Sequence, residues 1–134
     1  MKGRKKRGGS LIEVAVAAIF LIPIVLGILD AITMVMANMD NDALAKNAAR
    51  AAANQPDKTN AYSAAQRVIT DFKLSQTVTN VTISDFNYTD SHDEVLVATT
   101  MTVALPVQIA SFQNVTFTAQ SIQPIVSEPL QQGS

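Results

Sequence analysis

The sequence has no cysteine, no tryptophan and few other aromatic residues. Its 134 residues include five phenylalanines and two tyrosines. Without cysteine the chain has no disulfides, no thiol nucleophile and no cysteine-ligated metal. Hydrophobic residues still make up 48% of the chain. The apolar content is therefore aliphatic and rich in alanine, which favours helices and lipid contact over a large aromatic core.

Motifs for catalysis and cofactor binding are also lacking. His92 is the only histidine, and no motif marks a serine and an acid that would complete a nucleophilic triad with it. None of the five glycines belongs to a phosphate-binding loop. The carboxylates of Asp90, Asp93 and Glu94 could bind an ion, but their spacing differs from that of a calcium loop, and a solvated turn is expected. We predict a protein that is not an enzyme, with no cofactor, metal or small-molecule substrate.

Charge is divided unevenly along the chain. Five basic residues precede the first acidic one: Lys2, Arg4, Lys5, Lys6 and Arg7. From residue 31 onward, five basic and nine acidic residues give a net charge of 5 − 9 = −4. A basic terminus can bind nucleic acid, but here an apolar run follows it directly, so no nucleic-acid partner is predicted.

Residues 11–29 form an apolar run in which Glu13 is the only charge. These 19 residues, at about 1.5 Å each, span roughly 28 Å, close to the hydrocarbon thickness of a bilayer. We predict a basic cytoplasmic leader over residues 1–9 and a transmembrane helix over residues 10–30. The basic leader on one side and Asp30 on the other predict a cytoplasmic N-terminus and an exported C-terminal part. No small-x-small cleavage site follows the run, which favours a retained anchor over an ordinary signal peptide.

Two residues within the run have alternative interpretations. A carboxylate costs about 2.5–3.5 kcal/mol at the centre of a membrane helix and less near its end. Glu13 therefore either reaches the cytoplasmic headgroups or pairs with a positive charge on a partner. Pro23 removes a backbone hydrogen bond and predicts a kink or a loosened helix around residues 19–23. Such a kink is harmless in many membrane helices.

The stretch KRGGSLIE, which ends at Glu13, resembles the recognition sequence of type IV prepilins. In that family a membrane-embedded prepilin peptidase cleaves just after the glycine. The resemblance implies a cut after Gly8, which makes Gly9 the new N-terminus and Glu13 the fifth mature residue. It also implies that Glu13 pairs with the N-terminal amine of a neighbouring subunit. A helix loosened at Pro23 would then help the subunit leave the membrane and pack into a filament.

The stretch GGSLIEVAVAAIFLIPIVLGILD, followed by NAARAAA at residues 47–53, is similar to the TadE/TadG-like proteins. These are minor pilins or pseudopilins of tight-adherence pili, which are related to type IV pili. The likeness covers about the first 55 residues and includes the Ile22–Pro23 step. It departs from the family at Gly9, where major type IV pilins have phenylalanine, and at Asp30, which alone represents a charged pair. The resemblance implies three partners: membrane lipid, a prepilin peptidase and other pilin-like subunits. It also implies a location in the bacterial cytoplasmic (inner) membrane and, after assembly, in a pilus.

The helix is predicted to continue outside the membrane over residues 31–55, because alanine recurs there and residues 31–53 lack proline and glycine. Apolar residues recur at intervals of three and four and form a narrow stripe. The stripe comprises Ile32, Val35, Met36, Met39, Ala43 and Ala48. It either packs on the protein's own sheet or contacts the helix of another subunit.

A small α+β exported domain is predicted over residues 56–127, followed by a flexible tail over residues 128–134. A second helix spans about residues 60–72, capped by Thr59 or Asn60. Its apolar face comprises Ala61, Ala65, Val68, Ile69 and Phe72. Period-two alternation near residues 81–86, 95–105 and 115–119 predicts three strands in an antiparallel sheet that packs on a helix.

Two further expectations concern the strands. In the first strand, Val81 and Ile83 are predicted to face one way and Phe86 the other. Pro106 is predicted to end the second strand.

The sequence thus predicts a non-enzymatic minor pilin or pseudopilin that assembles through its N-terminal helix to initiate, cap or scaffold a filament. The alternative is an uncleaved single-pass membrane protein whose exported domain is a scaffold or binds a partner.

Overall fold

A computed structural model describes residues 7–89, 93–109 and 112–126. The helices are α1 (Arg7–Ala53) and α2 (Lys58–Asp71), and the strands are β1 (Val78–Thr89), β2 (Glu94–Ile109) and β3 (Phe112–Pro124). The strands form one antiparallel sheet in the order β1-β2-β3. The predicted α+β architecture is confirmed: a long N-terminal helix, a short second helix and a three-stranded antiparallel sheet.

Helix α1 has 47 residues and runs without a break through Pro23. At about 1.5 Å per residue it is roughly 70 Å long, more than twice the thickness of a bilayer core. Its apolar N-terminal part is long and apolar enough to span a membrane, and the rest of the protein covers none of its most apolar stretch. Among the described residues of α1, the buried positions that pack on the sheet and α2 begin at Asp30.

Helix α2 begins earlier than predicted, because Asp57 caps it rather than Thr59 or Asn60. Asp57 has an extended backbone, and its carboxylate accepts a hydrogen bond from the Asn60 backbone N–H at 2.8 Å. That bond satisfies one of the amides that the first turn of a helix leaves without a partner. The predicted apolar face is confirmed: Ala61, Ala65 and Ile69 are buried, and Val68 and Phe72 pack at the edge of the core.

The core lies between the sheet and the C-terminal half of α1. On β2 the predicted alternation is confirmed from Val95 to Val103, where every second residue is fully buried: Val95, Val97, Thr99, Met101 and Val103. Leu105, at the end of the predicted alternation, is only partly buried. Small side chains on α1 let the sheet and α2 approach its backbone closely. The buried ones include Ala37, Ala45, Ala48, Ala49, Ala52 and Ala53.

The predicted orientation of Phe86 on β1 is wrong. The register of β1 against β2 shifts between Ile83 and Asp85, which inserts an extra residue into β1. Because side chains alternate with period two, one extra residue moves those beyond it to the other face. Phe86 therefore packs against the core on the same side as Val81 and Ile83, and its ring meets the Tyr62 ring edge-on at 5.2 Å.

Pro106 does not end β2, contrary to the prediction, because the strand continues to Ile109. The β2–β3 register is interrupted between Ala104 and Ile109. Proline has no N–H to donate and is tolerated in strands at such irregularities. The hairpin therefore extends beyond Pro106, and its backbone pairing resumes at Ile109 and Phe112.

Candidate assembly surface

Beyond the apolar run, α1 has two opposite faces. One face packs on the sheet and on α2. Its buried residues are Asp30, Ala37, Asn41, Leu44, Ala45, Ala48, Ala49, Ala52 and Ala53. Their spacing of mostly three, four and seven residues keeps them on one side of the helix. The packed face includes two polar side chains, Asp30 and Asn41, and each is bonded to the sheet.

Asn41 joins α1 to two strands from a position with no solvent exposure. Its Nδ2 donates to the backbone oxygens of Thr99 on β2, at 3.3 Å, and Phe117 on β3, at 3.1 Å. Its Oδ1 accepts from the Thr99 hydroxyl at 2.8 Å. All the hydrogen-bonding atoms of the buried amide are used, so its desolvation is compensated.

Asp30 makes a second link, near the end of the apolar run. Its side chain is 6% exposed, and its Oδ1 accepts from the backbone N–H of Val107 at 3.1 Å. Eleven residues separate Asp30 from Asn41, so the two links lie about 16 Å apart along the helix axis. Two links at that distance fix the angle between helix and sheet.

The opposite face of α1 is apolar and exposed. Ile32, Val35, Met36 and Met39 are 50–65% exposed, and Ala43 is also exposed. Of the predicted stripe, Ala48 alone is buried. The hypothesis that the stripe packs on the protein's own sheet is therefore wrong for its other five members, because Asp30 and Asn41 direct the other face inward.

This exposed stripe continues the surface of the apolar run without interruption. Ile28 and Leu29 are about half exposed, and Ile32 follows one turn later at the same side of the helix. Beside the stripe, a groove of about 450 Å³ lies between Met36 and Met39 of α1 and Ser75 and Thr77 before β1. The groove is mostly apolar, so it suits an apolar side chain from a partner. We call Ile32, Val35, Met36, Met39 and Ala43 the assembly stripe.

The other predicted site residues lie at the N-terminal end. Lys2, Arg4, Lys5 and Lys6 fall outside the described residues, and α1 begins at Arg7. Gly8 and Gly9 lie in the first turn of α1.

Glu13 is exposed, and within the described part of the chain it has no hydrogen bond or ion pair. About 25 Å of helix separates Glu13 from Asp30, where α1 is bonded to β2. The Glu13 region and the sheet therefore cannot act as one site within a single subunit.

The parts of the chain that the structure describes have no group of three or more His, Asp or Glu side chains that could hold a metal ion. Of the predicted polar turn, Asp90 and His92 lie outside the described residues. Asp93 has a left-handed backbone with φ of 50°, which aspartate tolerates better than most residues, and Glu94 begins β2.

Sequence reasoning missed the role of Asn41, which lies outside the predicted apolar stripe. A signal was present, because Asn41 follows Asp30 by eleven residues and Ala37 by four and precedes Ala48 by seven, which puts all four on one helix face. The hydrophobic stripe dominates the pattern and masks this signal. The packed face instead consists of alanines around two polar side chains.

No family model, curated protein or solved structure matches this chain.

Proposed function

We propose that this chain is a minor pilin or pseudopilin of a tight-adherence, type IV-related pilus. In this proposal α1 anchors the subunit in the bacterial inner membrane with its N-terminus in the cytoplasm. It then packs beside the helices of other pilin-like subunits to initiate, cap or scaffold a filament. The observation that carries the proposal is the assembly stripe, an exposed apolar helix face that continues beyond the apolar run.

The exposed apolar surface of α1 is too long to be covered by lipid alone, which supports contact with a partner helix. From Leu11 to Met39 there are 29 residues, about 43 Å of helix, against roughly 30 Å of hydrocarbon. To immerse all of it, the helix would tilt by about 46°, beyond the usual range of about 0–40°. About 13 Å of apolar helix is left outside the bilayer core. Because that part is continuous with the membrane surface of α1, a helix emerging from the same membrane is the partner that fits it.

The N-terminal residues supply the second line of support. A buried or lipid-embedded carboxylate requires a positive partner, and Glu13 has none within the described residues. Cleavage after Gly8 would create an amine on Gly9, four residues or about 6 Å from Glu13 along the helix. An amine at Gly9 of one subunit would then meet Glu13 of a neighbour displaced by about one helical turn.

One observation favours the alternative, an uncleaved single-pass scaffold. Gly8 and Gly9 lie inside helix α1, which starts at Arg7, so the bond between them is in helical backbone. Proteolysis favours exposed, irregular segments over regular structure. A chain that keeps its leader would be a static anchor whose exported domain binds a partner without entering a filament.

Intact-mass spectrometry of the protein from native membranes tests these two possibilities. The chain is isolated from cells with and without prepilin peptidase. Loss of the first eight residues only when the peptidase is present supports the proposal, and sheared pili are then probed for the mature chain. A full-length chain in both backgrounds contradicts processing and supports the scaffold.

A further inference from the structure

The β2–β3 hairpin reaches the level at which α1 leaves the apolar run. Thr99 of β2 meets Asn41 of α1, whereas Val107 of β2 meets Asp30. The partner of Val107 on α1 therefore lies eleven residues, or about 16 Å, closer to the apolar run than the partner of Thr99. That is roughly 2 Å of descent for each strand residue.

The strand continues beyond this level. β2 extends two more residues to Ile109, whose backbone pairs with Phe112. Continued at about 2 Å per residue, this descent would bring the backbone at Ile109 roughly 4 Å below Asp30, level with the last turn of the apolar run, where Ile28 and Leu29 are exposed.

The composition of the hairpin suits such a position. From Val95 to Ser127 the sequence contains no Asp, Glu, Lys, Arg or His. Charged side chains are costly within the apolar part of a bilayer, whereas neutral and apolar ones are tolerated. Pro106 is exposed and Leu105 and Val107 are partly exposed, so all three present surface at this level. Residues 105–107 are called the proximal hairpin below.

The proximal hairpin also presents no charged side chain to the membrane. Asp30 is the charge nearest to it, and the Asp30 side chain is buried against the Val107 amide. A carboxylate that would otherwise face the headgroups is thus covered by the hairpin itself. This arrangement removes the obstacle to contact between the proximal hairpin and lipid.

We propose that the proximal hairpin lies in the interfacial layer of the outer leaflet, so that the exported domain contacts the membrane at a second place beside α1. This proposal rests on one part of the proposed function, the membrane anchor, and does not require that the protein assembles into a pilus. Because the hairpin is uncharged, the contact depends on apolar burial and is independent of the charge of the lipid headgroup.

Spin labels on single cysteines test the contact, since the native chain has no cysteine to remove. The full chain is reconstituted in phosphatidylcholine vesicles, with or without one-third phosphatidylglycerol. Labels are placed by Pro106→Cys at the proximal hairpin, Phe20→Cys in the apolar run and Thr118→Cys on the exposed face of β3. Accessibility of each label to oxygen and to a water-soluble nickel complex is measured by power saturation.

The expected result is a graded one. Phe20→Cys is reached by oxygen and not by nickel, Thr118→Cys is reached by nickel, and Pro106→Cys is several-fold less accessible to nickel than Thr118→Cys in both lipid mixtures. A second label, placed by Gln113→Cys at an exposed position of β3 in the same hairpin, is used in case the replacement of Pro106 disturbs the strand. It is expected to show the same shielding from nickel.

Three results overturn the proposal, and they are distinguishable. If Phe20→Cys is in lipid while Pro106→Cys and Gln113→Cys are as accessible to nickel as Thr118→Cys, the hairpin contact is wrong and the anchor stands. If the label at Phe20→Cys is itself reached by nickel, the apolar run does not lie in the membrane, and the proposals of a membrane anchor and of a hairpin contact are both wrong. Shielding only with phosphatidylglycerol contradicts the apolar basis of the contact.

Discussion

The Thr99 hydroxyl on β2 donates a 2.8 Å hydrogen bond to Asn41 Oδ1 on α1, and neither side chain is exposed to solvent. An asparagine on a mostly alanine face would be costly to bury alone. Here it is satisfied only when the helix meets both strands at one rotation and one height. The bond therefore selects which face of α1 packs inward and leaves the assembly stripe outside.

Replacing Asn41 with alanine is expected to destabilise the exported domain. The change removes the amide from two backbone carbonyls and the acceptor from the Thr99 hydroxyl. Loss of a buried hydrogen-bond partner costs about 1–3 kcal/mol. Guanidinium unfolding of the full chain in detergent, followed by far-ultraviolet circular dichroism, measures this. Thr118→Val on the exposed sheet face is the control and should change the free energy of unfolding by less than about 0.5 kcal/mol.

The pair can also be tested directly. Asn41→Ala, Thr99→Val and the double variant form a double-mutant cycle. Groups in one buried network are expected to couple by about 0.5–3 kcal/mol. Additive losses would contradict the role given to this bond.

The Asp30–Val107 bond predicts protection of one amide. Asp30→Ala removes the acceptor of the Val107 N–H, so hydrogen exchange at Val107 should accelerate by about tenfold, as for loss of about 1.4 kcal/mol. Asp30→Asn retains a side-chain oxygen and should keep most of the protection. Exchange is measured by mass spectrometry with electron-transfer fragmentation, and amides on β1 provide the reference. Equal exchange in all three proteins would show that the bond does not hold the hairpin.

Much of the fold could be predicted from the sequence because its signals are local. The long apolar run, the alanine-rich extension and the alternation from Val95 to Val103 each depend on a few neighbouring residues. The predicted helices and strands were confirmed for this reason. Their bounds were less accurate, since Asp57 competes with Thr59 and Asn60 as a cap and all three are favourable there.

The errors have non-local causes. The extra residue near Asp85 depends on how β1 meets β2, which a single strand's pattern does not contain. Pro106 stays within β2 because the β2–β3 ladder is interrupted beside it. Which face of α1 packs on the sheet depends on the hydrogen bonds from Asn41 to Thr99 and Phe117, which lie 58 and 76 residues further along the chain. The roles of Gly8, Gly9, Glu13 and Pro23 depend on other molecules and stay predictions.

Asp57 gives helix α2 a pH dependence. The hydrogen bond from the Asn60 backbone N–H, more than any other contact, holds the pKa of the Asp57 carboxyl below its ordinary value of 3.8. A lowered pKa in the folded state means that the ionised carboxylate stabilises folding above pH 3.8 and that this stabilisation is lost as the pH falls through the lowered pKa.

The variant Asp57→Asn separates the charge from the cap. Asparagine still accepts the hydrogen bond from the Asn60 amide, so the variant should fold like the native chain at about pH 7 but lose less stability as the pH falls below 3.8. Asp57→Ala should lower the melting temperature even at about pH 7. Thermal unfolding at several pH values measures both effects. Parallel pH curves for the native chain and Asp57→Asn would contradict them.

A charge on the assembly stripe is expected to block assembly without unfolding the subunit. Met36 is 62% exposed, so Met36→Glu should leave the free energy of unfolding within about 0.5 kcal/mol. Buried at a helix interface, an unpaired carboxylate is strongly unfavourable, and incorporation into filaments should fall by at least about tenfold. The matched control is Asn38→Glu, which adds the same charge to an exposed position of α1 outside the stripe. Quantitative immunoblots of sheared pili measure incorporation, and equal losses for both variants would argue against the stripe.

Glu13→Gln tests whether the carboxylate pairs with a neighbour's new N-terminal amine. Glutamine keeps the size of the side chain and lowers the cost of membrane insertion, so the variant should be anchored at least as well as the native chain. If Glu13 merely reaches the headgroups, filament incorporation is unchanged. If it pairs with the Gly9 amine, incorporation falls by about tenfold, which corresponds to about 1.4 kcal/mol for the lost charge pair. Intact-mass spectrometry should show removal of the first eight residues in both proteins. A loss of incorporation in the variant is then a defect in packing and not in processing. A variant that is processed, anchored and incorporated like the native chain would leave Glu13 with no role beyond contact with the headgroups.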